Sequence, residues 1–207
     1  GGLLTLPMTS LRAQRAAPRV LHVMSYREDW QWNKDQLRGF MEELGLPDTQ
    51  LEVVALDAKH ADPSVMKRAA QEALGLMAKW KPDLVYTNDD AAQSGFAVQA
   101  ATQHPRTPFV YSGVNKEHAD YGFDKMPNVT GVLEREHFAG TLALLRELKP
   151  GLAKLRIAIV LDDDPTWAGV SARIRQDLQR HPDVEVVQWL QPRTLEEYQS
   201  ALLALPG

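Results

Sequence analysis

The sequence predicts an α/β fold of two lobes, in which parallel β-sheets are flanked by helices and the second lobe is truncated. Short segments that are apolar throughout, such as VLHVM at 20–24 and PFVYS at 108–112, alternate with longer amphipathic ones. Strands without a polar face are typical of parallel sheets that helices cover on both sides. The alternation pauses between Gly113 and Gly140, which favours a crossover between two lobes over one continuous sheet.

The elements of the first lobe follow one another as strand and helix. The first helix places apolar residues at helical spacing and ends before Gly45. The second begins at Pro63, because proline is tolerated in the first turn of a helix. In chain order, the predicted elements are strand 20–24, helix 34–44, strand 51–56, helix 63–80, strand 83–87, helix 91–101 and strand 108–112.

The second lobe is predicted to contain only two strands. After an irregular stretch with NVTG at 128–131, the pattern resumes as helix 139–148, strand 156–161, helix 165–180, strand 184–189 and helix 194–203. Two strands rarely make a stable parallel sheet alone, so we expect a fragment of a larger lobe. The expected organisation is a residual signal peptide or disordered leader at 1–18, an N-terminal lobe at 19–132 and a partial second lobe at 133–207.

Composition argues against several classes of function. The net charge of −4 argues against general nucleic-acid binding, which needs a basic surface. The absence of cysteine excludes disulfides, thiolate metal sites and cysteine nucleophiles. The first residues, GGLLTLPMTSLRAQRAAPR, fit the end of a secretory signal peptide and equally a disordered arm. Their apolar stretch is much shorter than the ~20 residues that cross a bilayer.

Polar and aromatic residues accumulate where the predicted strands end. Ligands of open parallel sheets bind beyond these carboxyl ends, and two such edges facing each other would form a cleft between lobes. The residues at these positions are Ser25, Tyr26, Asp29, Trp30 and Trp32 after the first strand, Thr87, Asn88, Asp89 and Asp90 after the third, Ser112, Gly113, Val114 and Asn115 after the fourth, and Asp162, Asp163, Asp164, Thr166 and Trp167 after the first strand of the second lobe.

Two of these aspartates have an alternative structural role as helix caps. Asp164 precedes Pro165, which is the arrangement of an N-cap followed by proline at the first helical position, and capping is the favoured role there. Asp90 precedes the helix predicted from Ala91, so it fits either a cap or a ligand contact, and both interpretations stay open. Asp162 and Asp163 are not needed for a cap.

The stretch LDDDPTW also matches an enzyme motif. Asp162, Asp164 and Thr166 form a D-x-D-x-T pattern at a strand end, as in the active site of Mg²⁺-dependent haloacid-dehalogenase-type phosphotransferases. These enzymes need a lysine and further acids later in the chain, and no lysine follows Thr166. The histidines show no metal-ligand spacing. The sequence therefore favours a binding role without catalysis, metal or cofactor, and the phosphohydrolase interpretation is a less favoured alternative.

Three segments resemble the ABC-transporter substrate-binding proteins related to the tryptophan- and phenylalanine-binding lipoproteins. They are KPDLVYTNDDAAQ, TPFVYSGVNKEHADYGF and NVTGVLEREH, and they occur in the order found in that family. The resemblance extends from Arg19 to about Leu202, and NVTGV is its most specific part. It implies a type I periplasmic-binding-protein fold, export from the cytoplasm, and two lobes that close on a small molecule through hinge residues such as Gly113 and Gly131.

The resemblance also implies a set of ligand contacts, matched by their position in the chain: Ser25, Tyr26, Thr87, Asn88, Asp89, Asp90, Ser112, Gly113, Asn115, Glu134, Asp162, Thr166 and Trp167. The chain departs from the family at 88–90, where amino-acid-binding members present hydroxyl groups and free helix N–H groups. Two aspartates at such a position oppose a ligand carboxylate. We therefore expect a cationic or polyhydroxylated ligand, with Trp30 or Trp167 supplying a cation–π face.

Two kinds of macromolecular partner stay open. A substrate-binding protein delivers its ligand to a membrane permease of an ABC-type uptake system. The segments NDDAAQ and GVNKEHADYGF resemble the extracytoplasmic binding domains of membrane sensors, such as histidine kinases, at least as much as they resemble transporter components. A cytoplasmic repressor would need a basic helix-turn-helix before the first strand, and the leader is too short and too apolar for one.

Overall fold

The computed structural model describes residues 17–46, 48–161 and 166–205. Its first lobe is built on a sheet of five strands, in the spatial order β2-β1-β3-β4-β5, and every neighbouring pair is parallel. The strands are β1 (Arg19–Met24), β2 (Gln50–Ala55), β3 (Leu84–Asn88), β4 (Phe109–Val114) and β5 (Val129–Leu133). The predicted α/β class with parallel sheets is therefore confirmed.

Helices and turns connect these strands and cover the sheet. They are α1 (Gln31–Leu44), α2 (Pro63–Lys79), α3 (Asp89–Ala92), a π-helical turn (Gln93–Ala97), α4 (Val98–Gln103) and two 3₁₀ turns (His118–Tyr121 and Phe123–Lys125). Alternate side chains of the strands pack against α2, the π turn and α4, and Leu21, Phe96 and Phe109 are almost completely buried there. On the opposite face, Phe40 of α1 stacks on Tyr86 with ring centroids 4.1 Å apart.

A second, smaller sheet follows the crossover. It pairs β6 (Leu155–Val160) with β7 (Val184–Leu190) in parallel, and the helices around it are α5 (Phe138–Leu148), α6 (Thr166–Leu178) and α7 (Leu195–Leu203). Its core is small and centres on Ile159, Val170 and Ile174. Within the described residues, no helix is long and apolar enough to cross a membrane.

One prediction about the elements is wrong. The stretch around NVTG, expected to be irregular, is β5, which pairs with β4 from Phe109 onward. Its pattern is weak because Val129 is buried whereas the next three residues are exposed, as in a strand at the sheet edge. Two helices also begin earlier than predicted, α1 at Gln31 and α3 at Asp89.

The two glycines predicted to act as hinges have different local roles. Gly113 adopts a φ of 68°, a left-handed conformation that favours glycine. At Gly131 a Cβ atom would overlap the ring and the carbonyl oxygen of Tyr111, so β4 and β5 approach each other as closely as they do only because this residue has no side chain. The hinge role of both glycines stays a prediction.

Candidate ligand-binding cleft

Two adjoining cavities lie between the carboxyl edge of the first sheet and the second lobe. The larger chamber has a volume of about 670 Å³ and the smaller chamber about 310 Å³. Tyr26, Lys59 and Asn115 line both. Helix α6 supplies the opposite wall, with Ala168 and Gly169 at the larger chamber and Trp167 and Val170 at the smaller one. Residues of both lobes therefore line the chambers.

Asp89 lies at the bottom of the smaller chamber. It is only 3% exposed and has a φ of 58°, which is uncommon for a residue with a side chain. Trp32 Nε1 donates to Asp89 Oδ1 at 3.1 Å, and Gln36 Nε2 donates to Oδ2 at 3.5 Å. Burial raises the pKa of the Asp89 carboxyl to about 7, because the charged form is poorly solvated, and the nearby Glu134 adds to the increase.

Asp90 connects two loops at the larger chamber. Its carboxylate accepts hydrogen bonds from the backbone N–H groups of Asn115 (3.0 Å) and Lys116 (3.1 Å) and from the Tyr121 hydroxyl (2.6 Å). Burial and the Asp90 carboxylate both raise the pKa of Tyr121, which stays neutral. The capping role considered for Asp90 is wrong, since α3 has Asn88 at its N-cap position.

Three predicted contacts lie behind the cleft wall and line neither chamber. Ser25 Oγ donates to the Asn88 carbonyl at 2.7 Å and accepts from the Ala92 N–H at 2.8 Å. Thr87 donates to the side chain of Gln93, and Asn88 donates through Nδ2 to Asn33 Oδ1. All three side chains are essentially buried. They hold β1, β3 and α3 in register beneath the chambers.

Two further predicted contacts, Ser112 and Gly113, lie at a third cavity, which we call the side groove. This groove of about 490 Å³ runs between α1 and the outer face of β3, β4 and β5. The Ser112 hydroxyl is 2.7 Å from that of Tyr86 and donates to the Gln36 side chain. Gly113 also lines the groove. These two residues thus line the side groove and neither chamber.

Tyr26, which lines both chambers, forms an aromatic cluster with Trp30, which lines neither. Their ring centroids are 5.2 Å apart, and Trp30 also meets His60 edge to face. Lys59 Nζ lies 5.4 Å from the Tyr26 ring and 5.9 Å from the Trp30 ring, within the range of cation–π interactions. The cation–π face that the sequence offers to a ligand is therefore in contact with a cation of the protein.

The crossover after β5 is tied to both lobes. Asn115 Nδ2 donates to Glu134 Oε2 at 3.1 Å. Arg173 of α6 forms a forked ion pair with Glu136, at 2.9 and 2.8 Å, and donates to the Asn115 carbonyl at 2.9 Å. This single guanidinium links α6, the crossover and the loop after β4. Such planar, two-point pairing is specific to arginine.

The remaining predicted contacts lie at the start of α6. Trp167 lines the smaller chamber. Thr166 is the first residue of α6, and Asp162 lies outside the described residues together with Asp163 and Asp164, so the D-x-D-x-T pattern is not described. Among the residues that are described, no cluster of three or more His, Asp or Glu side chains has the geometry to hold a metal ion.

Several lining residues were missed by the sequence analysis. Lys59 follows β2, and the rule that ligands bind beyond strand ends would have found it, had it been applied to that strand as well. The others follow from contacts between distant segments and have no local signal. They are Met66, Ser94, Lys116, Asp120, Arg135 and Glu136.

Comparison with known proteins identifies the fold. No family model and no curated protein matches the sequence. Among solved structures, the chain is similar to the ligand-free, open form of CD0873, a substrate-binding protein with adhesive properties from Clostridium difficile, with a TM-score of 0.63 and 16% identity. That match covers 92% of this chain and 63% of the other.

Two further structures give the same picture. An ABC-transporter periplasmic solute-binding protein from Actinobacillus succinogenes with bound D-allose matches with a TM-score of 0.56 and 14% identity, over 89% of this chain and 62% of that one. An ABC domain from Streptococcus pneumoniae in complex with L-Trp matches with a TM-score of 0.54 and 12% identity, over 84% and 57%. At such identities the likeness concerns the fold, and the chain therefore has the α/β architecture of the type I periplasmic solute-binding proteins of ABC transporters.

Proposed function

We propose that this protein is an extracytoplasmic solute-binding protein that captures a small molecule between its lobes for an ABC-type uptake system. The observation that carries the proposal is the pair of chambers at the carboxyl edge of the first sheet, whose opposite wall is α6 of the second lobe. A cleft built from both halves of a fold is the arrangement in which a ligand favours the closed form, because it contacts both halves only when they meet.

The crossover residues 134–137 are the proposed hinge region. They join β5 to α5, and Glu134 borders the smaller chamber. Arg173 contacts this segment and the loop after β4, so the separation of the lobes is coupled to its hydrogen bonds. Ligand binding would shift the population between separated and closed lobes, and a membrane partner would recognise the closed form.

We keep a cationic or polyhydroxylated molecule as the proposed ligand class. One protein of similar fold holds D-allose and another L-Trp, so the fold is compatible with sugars and amino acids alike. The residues of this chain narrow the choice, because Asp89 and Glu134 border the smaller chamber and Asp90 and Asp120 the larger one. Carboxylates attract cations and accept hydrogen bonds from hydroxyl groups.

The alternative is a ligand-binding module of a membrane sensor, such as a histidine kinase. The segments NDDAAQ and GVNKEHADYGF carry that resemblance, and in the structure they bind each other through Asp90, Asn115 and Lys116. The fold and the cleft would be the same in both cases, and only the membrane partner that recognises the closed form would differ. A permease and an ATPase encoded beside the gene would favour transport, whereas a kinase domain in the same reading frame would favour sensing.

A ligand screen tests the proposed function. The full-length protein is heated with single amines, sugars, amino acids and carboxylates, and we expect one class to raise the melting temperature in a saturable manner. The matched variants are Ala168→Arg, which fills the larger chamber, and Ala139→Arg on the exposed surface of α5. Binding should be lost in the first and kept in the second. Mg²⁺-dependent phosphatase activity without any binding would contradict the proposal.

A further inference from the structure

We infer that the cleft selects a small organic amine that carries no carboxylate group. The inference rests on the proposed function and names the ligand class of that site. Two independent features support it: a carboxylate of the protein fills the anion-binding position of the cleft, and two other carboxylates border the smaller chamber without a cationic partner among the described residues.

The first feature is Asp90, which takes the place of an anionic ligand. In an open parallel sheet, backbone N–H groups beyond a strand end are the natural donors for a bound anion. The donors after β4 are the N–H groups of Asn115 and Lys116, and both are engaged by the two oxygens of Asp90, at 3.0 and 3.1 Å. The Tyr121 hydroxyl adds a third hydrogen bond to the same carboxylate.

This arrangement disfavours a ligand carboxylate in two ways. The two N–H donors are already satisfied, and a second carboxylate in the cleft would be repelled by Asp90, which lines the larger chamber. Like charges close together in a cleft repel more strongly than they do in bulk water, because the effective dielectric constant there is lower. An amino acid would therefore have to bind its carboxylate without these donors and against this charge.

The second feature is the pair Asp89 and Glu134 at the smaller chamber. Asp89 accepts only from the neutral donors Trp32 and Gln36, and Glu134 accepts from the Asn115 amide. Within the described part of the chain, neither carboxylate has an ion-pair partner within 4 Å. A protonated amine between them would supply the missing positive charge.

The other charged groups around the chamber leave this pair uncompensated. Glu136 is neutralised by Arg173, and Arg135 forms its ion pair with Glu117 at 2.7 Å. Lys59 Nζ lies over the rings of Tyr26 and Trp30. These cations contribute to the electrostatic potential of the cleft. Among the described residues, however, none of them forms an ion pair with Asp89 or Glu134.

The larger chamber provides space for the rest of the molecule. Its apolar lining consists of Ala58, Met66, Ala91, Ala168 and Gly169, and it adjoins the smaller chamber at Tyr26. Apolar groups of a ligand gain free energy when they leave water for such a surface. An amine head in the smaller chamber with an apolar body in the larger one is the ligand shape that both chambers accommodate together.

Matched pairs of probes test the inference. Isothermal calorimetry on the full-length protein compares tryptamine with L-Trp, phenethylamine with L-Phe, and isopentylamine with L-Leu, so that only the carboxylate differs. Indole-3-propionate and D-allose complete the series. We expect at least one amine to bind about 10-fold more tightly or better than its amino acid, and the acid not to bind.

The outcomes separate the inference from the proposed function. If an amino acid, the acid or the sugar binds and every amine fails or is weaker, the cleft is a ligand site and the inference is wrong. If no compound of any class binds, the inference and the proposed function both fail.

Charge-removing variants locate the effect. Asp89→Asn and Glu134→Gln should each weaken amine binding about 10-fold, since each removes one carboxylate from the smaller chamber. Asparagine tolerates the left-handed backbone at 89, and the Glu134 side chain lies at the chamber surface, so both variants should fold. The control is Glu52→Gln, an exposed carboxylate on β2 at which affinity should be unchanged. Equal losses in all three variants would contradict the inference.

Discussion

At the scale of single residues, the two adjacent aspartates of the third strand–helix junction have opposite roles. Asp90 is fully used by the protein, with three donors on its carboxylate. Asp89 is buried beside neutral donors and has a raised pKa. From the sequence, NDDAA predicts acids at a ligand edge, but which acid is structural depends on donors that lie about 25 residues later in the chain.

The raised pKa of Asp89 predicts a pH-dependent effect of Asp89→Asn on stability. A carboxyl with a folded-state pKa of about 7 and an unfolded value of ~3.9 favours the folded state at low pH, and this contribution is lost as the pH rises through 7. Asparagine cannot ionise, so the variant should gain on the order of 3 kcal/mol relative to the wild type between pH 4 and pH 8. Urea unfolding at several pH values measures this, and a difference that is constant with pH would contradict it.

Asp90→Ala should destabilise the fold by about 3 kcal/mol, because two backbone N–H groups and a tyrosine hydroxyl lose a charged acceptor. Asp124, an exposed residue of the 3₁₀ turn nearby, serves as the control, and Asp124→Ala should change stability by less than about 0.5 kcal/mol. Chemical denaturation of both variants gives the comparison. Equal stabilities would mean that Asp90 contributes little to the loop.

At the scale of elements, strands with a strong apolar pattern were predicted and the one with a weak pattern was not. The central strands β1 and β3 each lie between two other strands, and most of their residues are buried. Their sequences are therefore apolar over almost their whole length, which identifies them as strands. The strand β5 lies at the sheet edge and contains Gly131, so its sequence resembles a turn. The reason for that glycine is a contact with Tyr111, which only the pairing of β4 with β5 creates.

The pairing of β4 with β5 predicts that Gly131→Ala destabilises the protein by about 3 kcal/mol or more, since the added methyl group would overlap the Tyr111 ring and carbonyl. Gly75→Ala in α2 is the matched control, because no heavy atom lies within 4 Å of its would-be Cβ. There we expect a gain of about 0.5–1 kcal/mol from higher helix propensity. Thermal and urea unfolding measure the change in stability of both variants. Similar changes at the two sites would contradict the prediction and would mean that β4 and β5 can separate slightly.

At the scale of the whole molecule, a single arginine connects the second lobe to two separate segments. Arg173 of α6 contacts both the crossover, at Glu136, and the loop after β4, at Asn115. No sequence pattern predicts this, because Glu136 precedes it by 37 residues and Asn115 by 58. The two-lobed architecture was predictable from strand order, whereas the contacts that set the opening of the cleft were not.

Arg173→Ala should loosen the lobes. Both side chains of the Arg173–Glu136 pair are about one-fifth exposed. Loss of the pair should therefore lower the free energy of unfolding by about 1–3 kcal/mol and leave Glu136 without its cation. We expect a larger radius of gyration in solution scattering and faster proteolysis at 134–137. Arg180→Ala, which removes an exposed arginine just after α6, should leave both measurements unchanged. Identical scattering curves for the two variants would contradict the proposed link.

The hydrogen bond between Trp32 and Asp89 also makes the cleft optically observable. Trp32 as a whole is 45% exposed, yet its indole N–H group donates to a nearly buried carboxyl. An excited indole responds to charge placed beside its ring, so the emission of Trp32 should change when Asp89 gains or loses a proton or when a cation settles next to it. Fluorescence titration of the unlabelled protein would then follow events at the smaller chamber, and Trp32→Phe would identify the part of the signal that originates there.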